Sequence, residues 1–359
     1  FQFCEDIGAI PLPVVPAVVC CQNSNVLITR SYGTGQAGLP MADMPAYIQD
    51  VLDLVEYANG PVTSTWGAKR AEAGHPEPFH LRYLGVGNED KITPVFKERF
   101  QMIHAALKEK HPEITVVGTV GPFSDGEDFD AGWKIANELR LPMVDEHYYK
   151  SPQWFWDKLR RYDTYDRTKS KVYVGEYAAH DDKRRSTLRA AIAEAACLTS
   201  LERNGDVVAM ASYAPMLAKR GHTHWSPNLI YFDNTGVYPT ISYHVQQLFS
   251  RHAGDTALAV SVPDLPALAA SCVRDSTSGD TILKLVNGAA EARSLRISLT
   301  GAANLSANAK MTVLAGDDAD LVNPDSRPPL VFPVVSTIPI APAFERSLPA
   351  NSLTILRFR

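Results

Sequence analysis

The sequence predicts an α/β domain followed by an all-β domain. Three observations carry that expectation. Up to about residue 252, six β-branched or apolar runs alternate with helical stretches. From about residue 255 the helical periodicity stops, and short strands separated by Gly, Asp, Asn and Pro take over. Two of the first six runs, LRYLGVGNED at 81–90 and KVYVGEY at 171–177, pass through glycine and end on a carboxylate, Glu89 and Glu176. Delivery of a polar group from the C-terminal end of a parallel strand is how barrel strands furnish an active site.

Taken in order, residues 1–8 read as the end of an amphipathic helix with no initiator Met, signal peptide or cap before it, so a further segment is expected upstream. Residues 11–19 form a first strand, weakened by three prolines. Gly33, Gly35 and Gly38 mark a mobile loop that lacks both GxGxxG spacing and a Lys-Ser/Thr ending, so it is not read as a phosphate cradle. Met44 to Tyr57 is a helix whose face is Val51, Leu52, Leu54 and Val55, closed by Asn59-Gly60-Pro61. A loop over 62–79 precedes the strand at 81–86, and a helix at 96–109 follows a Thr93-Pro94 start.

The strands at 114–119, 143–149, 172–175 and 207–213 then alternate with helices at 129–139, 151–161, 187–203 and 241–250. Residues 214–239 make a long aromatic loop. Strand–helix alternation of this kind implies parallel, right-handed βαβ units. Periodicity fits an open doubly wound sheet and strands three to eight of an eight-stranded barrel equally. After the boundary at 252/253, short strands at 258–262, 269–274, 281–286, 294–299, 310–314 and 352–358 predict an antiparallel β-sandwich at 253–359, with no catalytic constellation in it.

Composition narrows the function classes. With 45% hydrophobic and 21% charged residues the 359-residue chain is globular, and a net charge of -5 argues against general affinity for nucleic acid or anionic membrane. No apolar run is long enough to span a bilayer. Five cysteines without zinc spacing give no disulfide framework. Cys20 and Cys21 point to opposite faces if they lie in a strand. The single glycosylation pattern Asn304-Leu305-Ser306 says little about compartment, so localisation stays open.

The chemistry centres on the two glutamates, about three βα repeats apart. Glycoside hydrolysis uses such a pair: one acid protonates the leaving oxygen, and the other attacks the sugar carbon or activates water. Solvated strand-end acids are the plain alternative for each. His147 and Tyr149 share one face of the 143–149 strand by period-two alternation, while Glu146 and Tyr148 face the other way. A phenol is a fit donor to an ionised carboxylate, and an imidazole sets its geometry. Trp225 offers a platform for a sugar ring and Asn228 an amide for hydroxyls. His222 and His224 have ligand-like spacing but no accompanying carboxylate or cysteine cluster, and Asp125, Glu127 and Asp128 lack calcium-loop spacing. Neither a metal nor any other cofactor is expected.

The chain resembles the α-L-arabinofuranosidases of glycoside hydrolase family 51. The resemblance rests on CEDIGA at 4–9, YANGP at 57–61 with Trp66-Gly67, GVGNE at 85–89, HYY at 147–149, GEY at 175–177 and the final NSLTILRF at 351–358. It implies a (β/α)8 TIM barrel at 1–252, of which this chain carries strands three to eight, followed by the sandwich. It further implies Glu89 as acid/base, Glu176 as nucleophile, Asn88 on the furanose 2-hydroxyl and Tyr149 orienting the nucleophile.

The implied activity is a retaining, exo-acting release of terminal α-L-arabinofuranosyl residues from arabinoxylan, arabinan or their oligosaccharides. A retaining pyranosidase or endoglycanase on the same barrel, or a non-catalytic carbohydrate-binding fragment, are the alternatives. Family relatives draw further substrate contacts from the first two barrel strands, so a complementary N-terminal segment or chain is an expected partner. A homo-oligomer is a second expectation.

Overall fold

The computed structural model describes residues 1–19, 38–263, 265–301, 305–324 and 329–359. Cys20, Cys21, Gly33, Gly35 and Asn304, about which the sequence raised expectations, lie outside the described residues. The chain divides into two compact units, Phe1–Tyr148 with Asp166–Gly175, and Tyr149–Tyr165 with Glu176–Arg359.

The first unit is built of parallel βα repeats. After a short helix α1 (Gln2–Asp6), the strands are β1 (Val14–Val15), β2 (Tyr83–Val86), β3 (Thr115–Thr119), β4 (Met143–Lys150) and the start of β5 (Lys171–Ala179). They lie in the order β1-β2-β3-β4-β5. Val14 pairs with Gly85, Tyr83 with Thr115 and Val117 with Met143, all in parallel register. The helices are α2 (Met44–Asn59), α3 (Thr65–Glu72), α4 (Pro94–Lys110) and α5 (Glu127–Leu139). Phe96, Phe100, Ile103 and Leu107 at helical spacing give α4 its buried face. Thr93 caps it by accepting from Phe96 N at 3.2 Å, and Pro94 occupies the first turn, where no N–H is needed.

In this unit the first strand and the loop over 62–79 differ from expectation. The first strand is two residues long, because its flanking prolines remove ladder donors. The loop expected over 62–79 contains α3, started by Ser64 Oγ accepting from Gly67 N at 3.2 Å. Its face is mostly polar, so hydrophobic period did not reveal it.

In the second unit β4 and β5 continue, and β6 (Val208–Tyr213) lies beside β5, with Ala214 N donating to Tyr177 O at 3.2 Å. The helix after β4, α6 (Pro152–Asp157), stops short of the expected residue 161, and a 3-10 turn follows at Arg161–Thr164. Helix α7 (Leu188–Arg203) is buried nearly all round, which its alanines permit. The long aromatic loop contains a small sheet of β7 (Leu217–Lys219), β8 (Ile230–Phe232) and β9 (Val237–Pro239), ahead of helix α8 (Ile241–Arg251). Strands of three residues are too short for a period to show in sequence.

The antiparallel region starts at β10 (Thr256–Leu258). It continues through β11 (Leu268–Asp275), β12 (Asp280–Asn287), β13 (Arg293–Ser298), β14 (Asn308–Ala315), β15 (Val334–Pro339), β16 (Ala343–Leu348) and β17 (Ser352–Phe358). One sheet has the order β10-β11-β12-β17-β14-β15, and β13 pairs with β16. Leu283, Leu285, Met311, Leu356 and Phe358 meet Ile297 and Leu348 in one core. Residues in β15 and β16 were not anticipated as strands; β15 is largely exposed and opens on Val334-Val335, without the alternation of a half-buried strand. α7 docks on this sheet through Glu202, which accepts from Lys284 Nζ at 2.6 Å and Ser271 Oγ at 2.5 Å. Lys284 is fully buried, so removing Glu202 would strand a charge.

α7 also carries Glu194, fully buried, whose Oε1 accepts from Ala179 N at the end of β5 at 2.9 Å. Burial pushes its carboxyl up from 4.5 to about 7, against the opposing pull of that N–H. The unfolded chain ionises this acid near its ordinary value, whereas the folded chain holds the proton until about pH 7. Glu194 therefore adds stability that is fully present below about pH 4.5 and lost as pH rises through 7. The loss is on the order of 3 kcal/mol. Urea titrations at pH 5 and pH 7.5 are expected to show a falling midpoint, and Glu194→Gln to flatten that fall by Glu194's share.

Candidate active site

The loop after β2 delivers the first carboxylate. Gly87 has φ +82°, and Glu89 itself sits in the left-handed region at φ +50°. A non-glycine residue held there marks a backbone fixed by its surroundings, a pattern that concentrates at functional sites. Asp90 supplies part of that fixation: its Oδ2 accepts from Asn88 N at 2.9 Å. Asp90 is buried, and burial raises its carboxyl to about 7, with the neighbouring Glu89 charge adding in the same direction. A Cβ on Gly87 would stand 2.6 Å from Asp90 Oδ2, so glycine is needed for the close approach as well as for φ. Asn88 and Glu89 are half-buried.

β4 carries the groups that meet the carboxylates. Alternation puts Asp145, His147 and Tyr149 on one face. Glu146 faces the other way, fully buried, and accepts from Trp133 Nε1 at 3.0 Å, as alternation predicted. In the first unit His147 Nδ1 lies 3.0 Å from Glu89 Oε1, and its Nε2 lies 3.1 Å from Asp145 Oδ2. Asp145 Oδ1 accepts from Gly175 N at 3.0 Å. A Cβ on Gly175 would fall 2.1 Å from that same oxygen, which accounts for glycine before the second carboxylate.

In the second unit Tyr149 OH donates to Glu176 Oε2 at 2.6 Å, a charge-assisted bond of the short kind. Tyr149 stacks on His180, with ring centroids 5.2 Å apart, and meets Trp225 edge-on at 5.2 Å. The Arg184 guanidinium lies over Trp225 at 4.6 Å. Burial, reinforced by the Arg184 charge, pulls His180 down to about 4, so this ring is neutral at neutral pH. Asn228 is buried; its Nδ2 donates to Trp225 O at 2.7 Å and to Tyr231 OH at 3.3 Å, closing the turn that carries Trp225. His222 and His224 are exposed, and no group of three potential metal ligands among the described residues includes either.

Sequence reasoning named Glu89, Glu176, His147, Tyr149, Asn88, Trp225 and Asn228, and missed three. Asp145 shares the face of His147 by the same alternation and was within reach of that argument. His180 and Arg184 follow β5 without a pattern, and only the folded loop shows them against Tyr149 and Trp225.

A family model described as the α-L-arabinofuranosidase 1 domain matches residues 1–167, and one described as the α-L-arabinofuranosidase C-terminal domain matches residues 165–352. The chain is 46% identical over 268 residues to an extracellular exo-α-L-arabinofuranosidase of Streptomyces chartreusis, covering 74% of this chain and 31% of that protein. It is 30% identical over 342 residues to α-L-arabinofuranosidase 2 of Arabidopsis thaliana, covering 94% of this chain and 47% of the relative. The chain thus spans about half or less of these curated relatives.

Among solved structures, an arabinose-bound GH51 α-L-arabinofuranosidase superposes with a TM-score of 0.86 at 30% identity, over 99% of this chain and 56% of that one. The α-L-arabinofuranosidase from Thermotoga maritima shares the fold, with a TM-score of 0.74 at 17% identity over 99% of this chain and 77% of that one. The architecture is that of a TIM barrel, represented here by a six-stranded sheet, with a C-terminal β domain. The chain belongs to the α-L-arabinofuranosidases of glycoside hydrolase family 51.

Proposed function

We propose that the protein is a retaining, exo-acting α-L-arabinofuranosidase that releases terminal arabinofuranosyl residues from arabinoxylan, arabinan or their oligosaccharides. The supporting observation is the division of labour along one strand. On one face of β4, His147 meets Glu89 and Tyr149, two residues on, meets Glu176. Each carboxylate thus has a partner of its own, an imidazole beside the proposed acid/base and a phenol donating to the proposed nucleophile.

In this reading Glu176, held by the Tyr149 phenol, attacks the anomeric carbon. Glu89 gives its proton to the leaving oxygen as the glycosidic bond breaks. Glu89 then takes a proton from water, whose oxygen displaces Glu176 and releases arabinose with its original anomeric configuration. Asn88, beside Glu89, is assigned to the furanose hydroxyls. Trp225 presents its ring to the C–H face of the sugar, and Asn228 keeps the turn beneath Trp225 in place. Residues 1–252 form the catalytic barrel domain in this proposal and 253–359 the sandwich, consistent with α8 ending at Arg251 and β10 opening at Thr256.

The test is proton NMR of the first product formed from an aryl α-L-arabinofuranoside by the intact protein, with aryl β-xyloside and β-glucoside in parallel. Arabinose appearing first as the α-anomer, with the two pyranosides turned over far more slowly, is the expected result. The inverted anomer would overturn the mechanism, and preference for a pyranoside would overturn the substrate.

A further inference from the structure

We infer that Asp145 is a positioning residue for Glu89, acting through His147: it holds the imidazole proton on Nε2 and so leaves Nδ1 to share a single proton with the acid/base. The inference rests on the reading of Glu89 given above, and goes beyond it by assigning a residue that neither the motifs nor the comparisons single out.

The geometry is a three-membered line within one unit. Asp145 Oδ1 receives Gly175 N at 3.0 Å, Asp145 Oδ2 meets His147 Nε2 at 3.1 Å, and His147 Nδ1 meets Glu89 Oε1 at 3.0 Å. Asp145 and His147 are buried, being 6% and 2% exposed, so the contact between them is not levelled by bulk water. When Asp145 is ionised both of its oxygens accept, Oδ1 from Gly175 N and Oδ2 from the group that faces it, which is then N–H. The tautomer of His147 follows: Nε2 is protonated, and Nδ1 accepts from Glu89 when Glu89 carries the proton it is to deliver. When Glu89 gives that proton to a leaving oxygen, the same Nδ1 faces a carboxylate. The pair can then hold the next proton, taken from water, between Oε1 and Nδ1.

The approach of Asp145 to the β5 backbone depends on Gly175 lacking a Cβ. Asp145 is thereby tied to the residue immediately before Glu176. Within the first unit, the charged groups among the described residues that meet this line include Asp145 on the strand of His147, and Glu89 with Asp90 from the loop after β2. β5 contributes the uncharged Gly175 N–H, and the next same-face residue along β4 is Tyr149, whose phenol donates to Glu176 on β5.

Asp145→Asn separates this role from a merely structural one. The asparagine keeps an oxygen for Gly175 N and turns its NH2 toward His147 Nε2, which forces the ring proton onto Nδ1, aimed at Glu89. That arrangement favours ionised Glu89, and the lost negative charge acts in the same direction. The alkaline limb of kcat/KM for an aryl α-L-arabinofuranoside is therefore expected to move toward acid by about one pH unit, with KM at pH 5 little changed. A structural role would lower kcat at every pH without moving the limb.

Should Asp145→Asn fail to fold, 15N-histidine NMR of the wild-type protein decides the matter. With His147 assigned through His147→Gln, Nε2 should show the shift of a protonated nitrogen from pH 5 to 8. An unprotonated Nε2, or an unmoved limb in a folded Asp145→Asn, overturns the inference. If the protein hydrolyses no furanoside, the proposed function fails, while the nitrogen shifts still report whether Asp145 sets the tautomer.

Discussion

Replacing Glu176 with alanine is expected to lower kcat/KM for aryl α-L-arabinofuranosides by a factor on the order of 10^4 or more while leaving the protein folded. A group that forms the covalent intermediate acts at full strength in the transition state, and its removal takes most of the rate with it. That factor corresponds to roughly 5 kcal/mol of transition-state stabilisation. The folded state loses much less. Glu176 is half-buried within β5, and the bond it takes from Tyr149 OH at 2.6 Å can be replaced by water once the carboxylate is gone. Thermal midpoints within a few degrees of wild type are therefore expected beside the collapse in rate. A small anion such as azide, offered at high concentration, should enter the vacated space and attack the anomeric carbon once, giving a glycosyl azide of inverted configuration. Undiminished turnover, or an azide product of retained configuration, would remove Glu176 from the role of nucleophile. Tyr149→Phe should fall between, since it removes the donor that aims the carboxylate but not the attacking oxygen.

How much of this was legible in the sequence depends on the kind of signal. β4 was readable to the face: its alternation put His147 and Tyr149 together and sent Glu146 the other way, where Trp133 Nε1 meets it. Glu89 and Glu176 were readable because each follows an apolar run through glycine, although β5 continues past Glu176 to Ala179, and the glycines anticipate close backbone approach. Gly175 has that reason in full, since Asp145 occupies the space of its missing Cβ. The Asp145–His147–Glu89 line joins residues far apart in sequence, and composition around Glu89 gives no sign of it. Likewise α3 has little apolar face, and β7, β8 and β9 are three residues each, so neither helical nor strand period could report them. The barrel itself was not decided by periodicity. Six βα repeats fit an open sheet as well, and the family motifs at 85–89, 147–149 and 175–177 made the choice.

Glu89→Ala is expected to show a loss that depends on the leaving group. General acid catalysis is worth about 10^2 to 10^4, and it is needed most where the departing oxygen is a poor leaving group. For an arabino-oligosaccharide, whose leaving alcohol must be protonated, kcat/KM should fall by about 10^3 to 10^4. For an aryl furanoside with an acidic phenol, bond cleavage needs no proton, and kcat/KM should fall by no more than about tenfold. Hydrolysis of the glycosyl intermediate still needs the base, so kcat with the activated substrate drops and KM drops with it as the intermediate accumulates. Azide, which needs no general base, should restore kcat for the activated substrate and yield a glycosyl azide of retained configuration, opposite to the product from Glu176→Ala. Equal losses on both substrates would exclude Glu89 as the acid. The backbone adds a stability signature that separates chemistry from folding. Glu89 sits at φ +50°, where alanine is as strained as glutamate and glycine is not. Glu89→Gly should therefore be more stable than Glu89→Ala by about 1 kcal/mol in urea unfolding, while matching its kinetic defect. The native residue would then be one that holds a strained backbone in place for the sake of the proton it delivers.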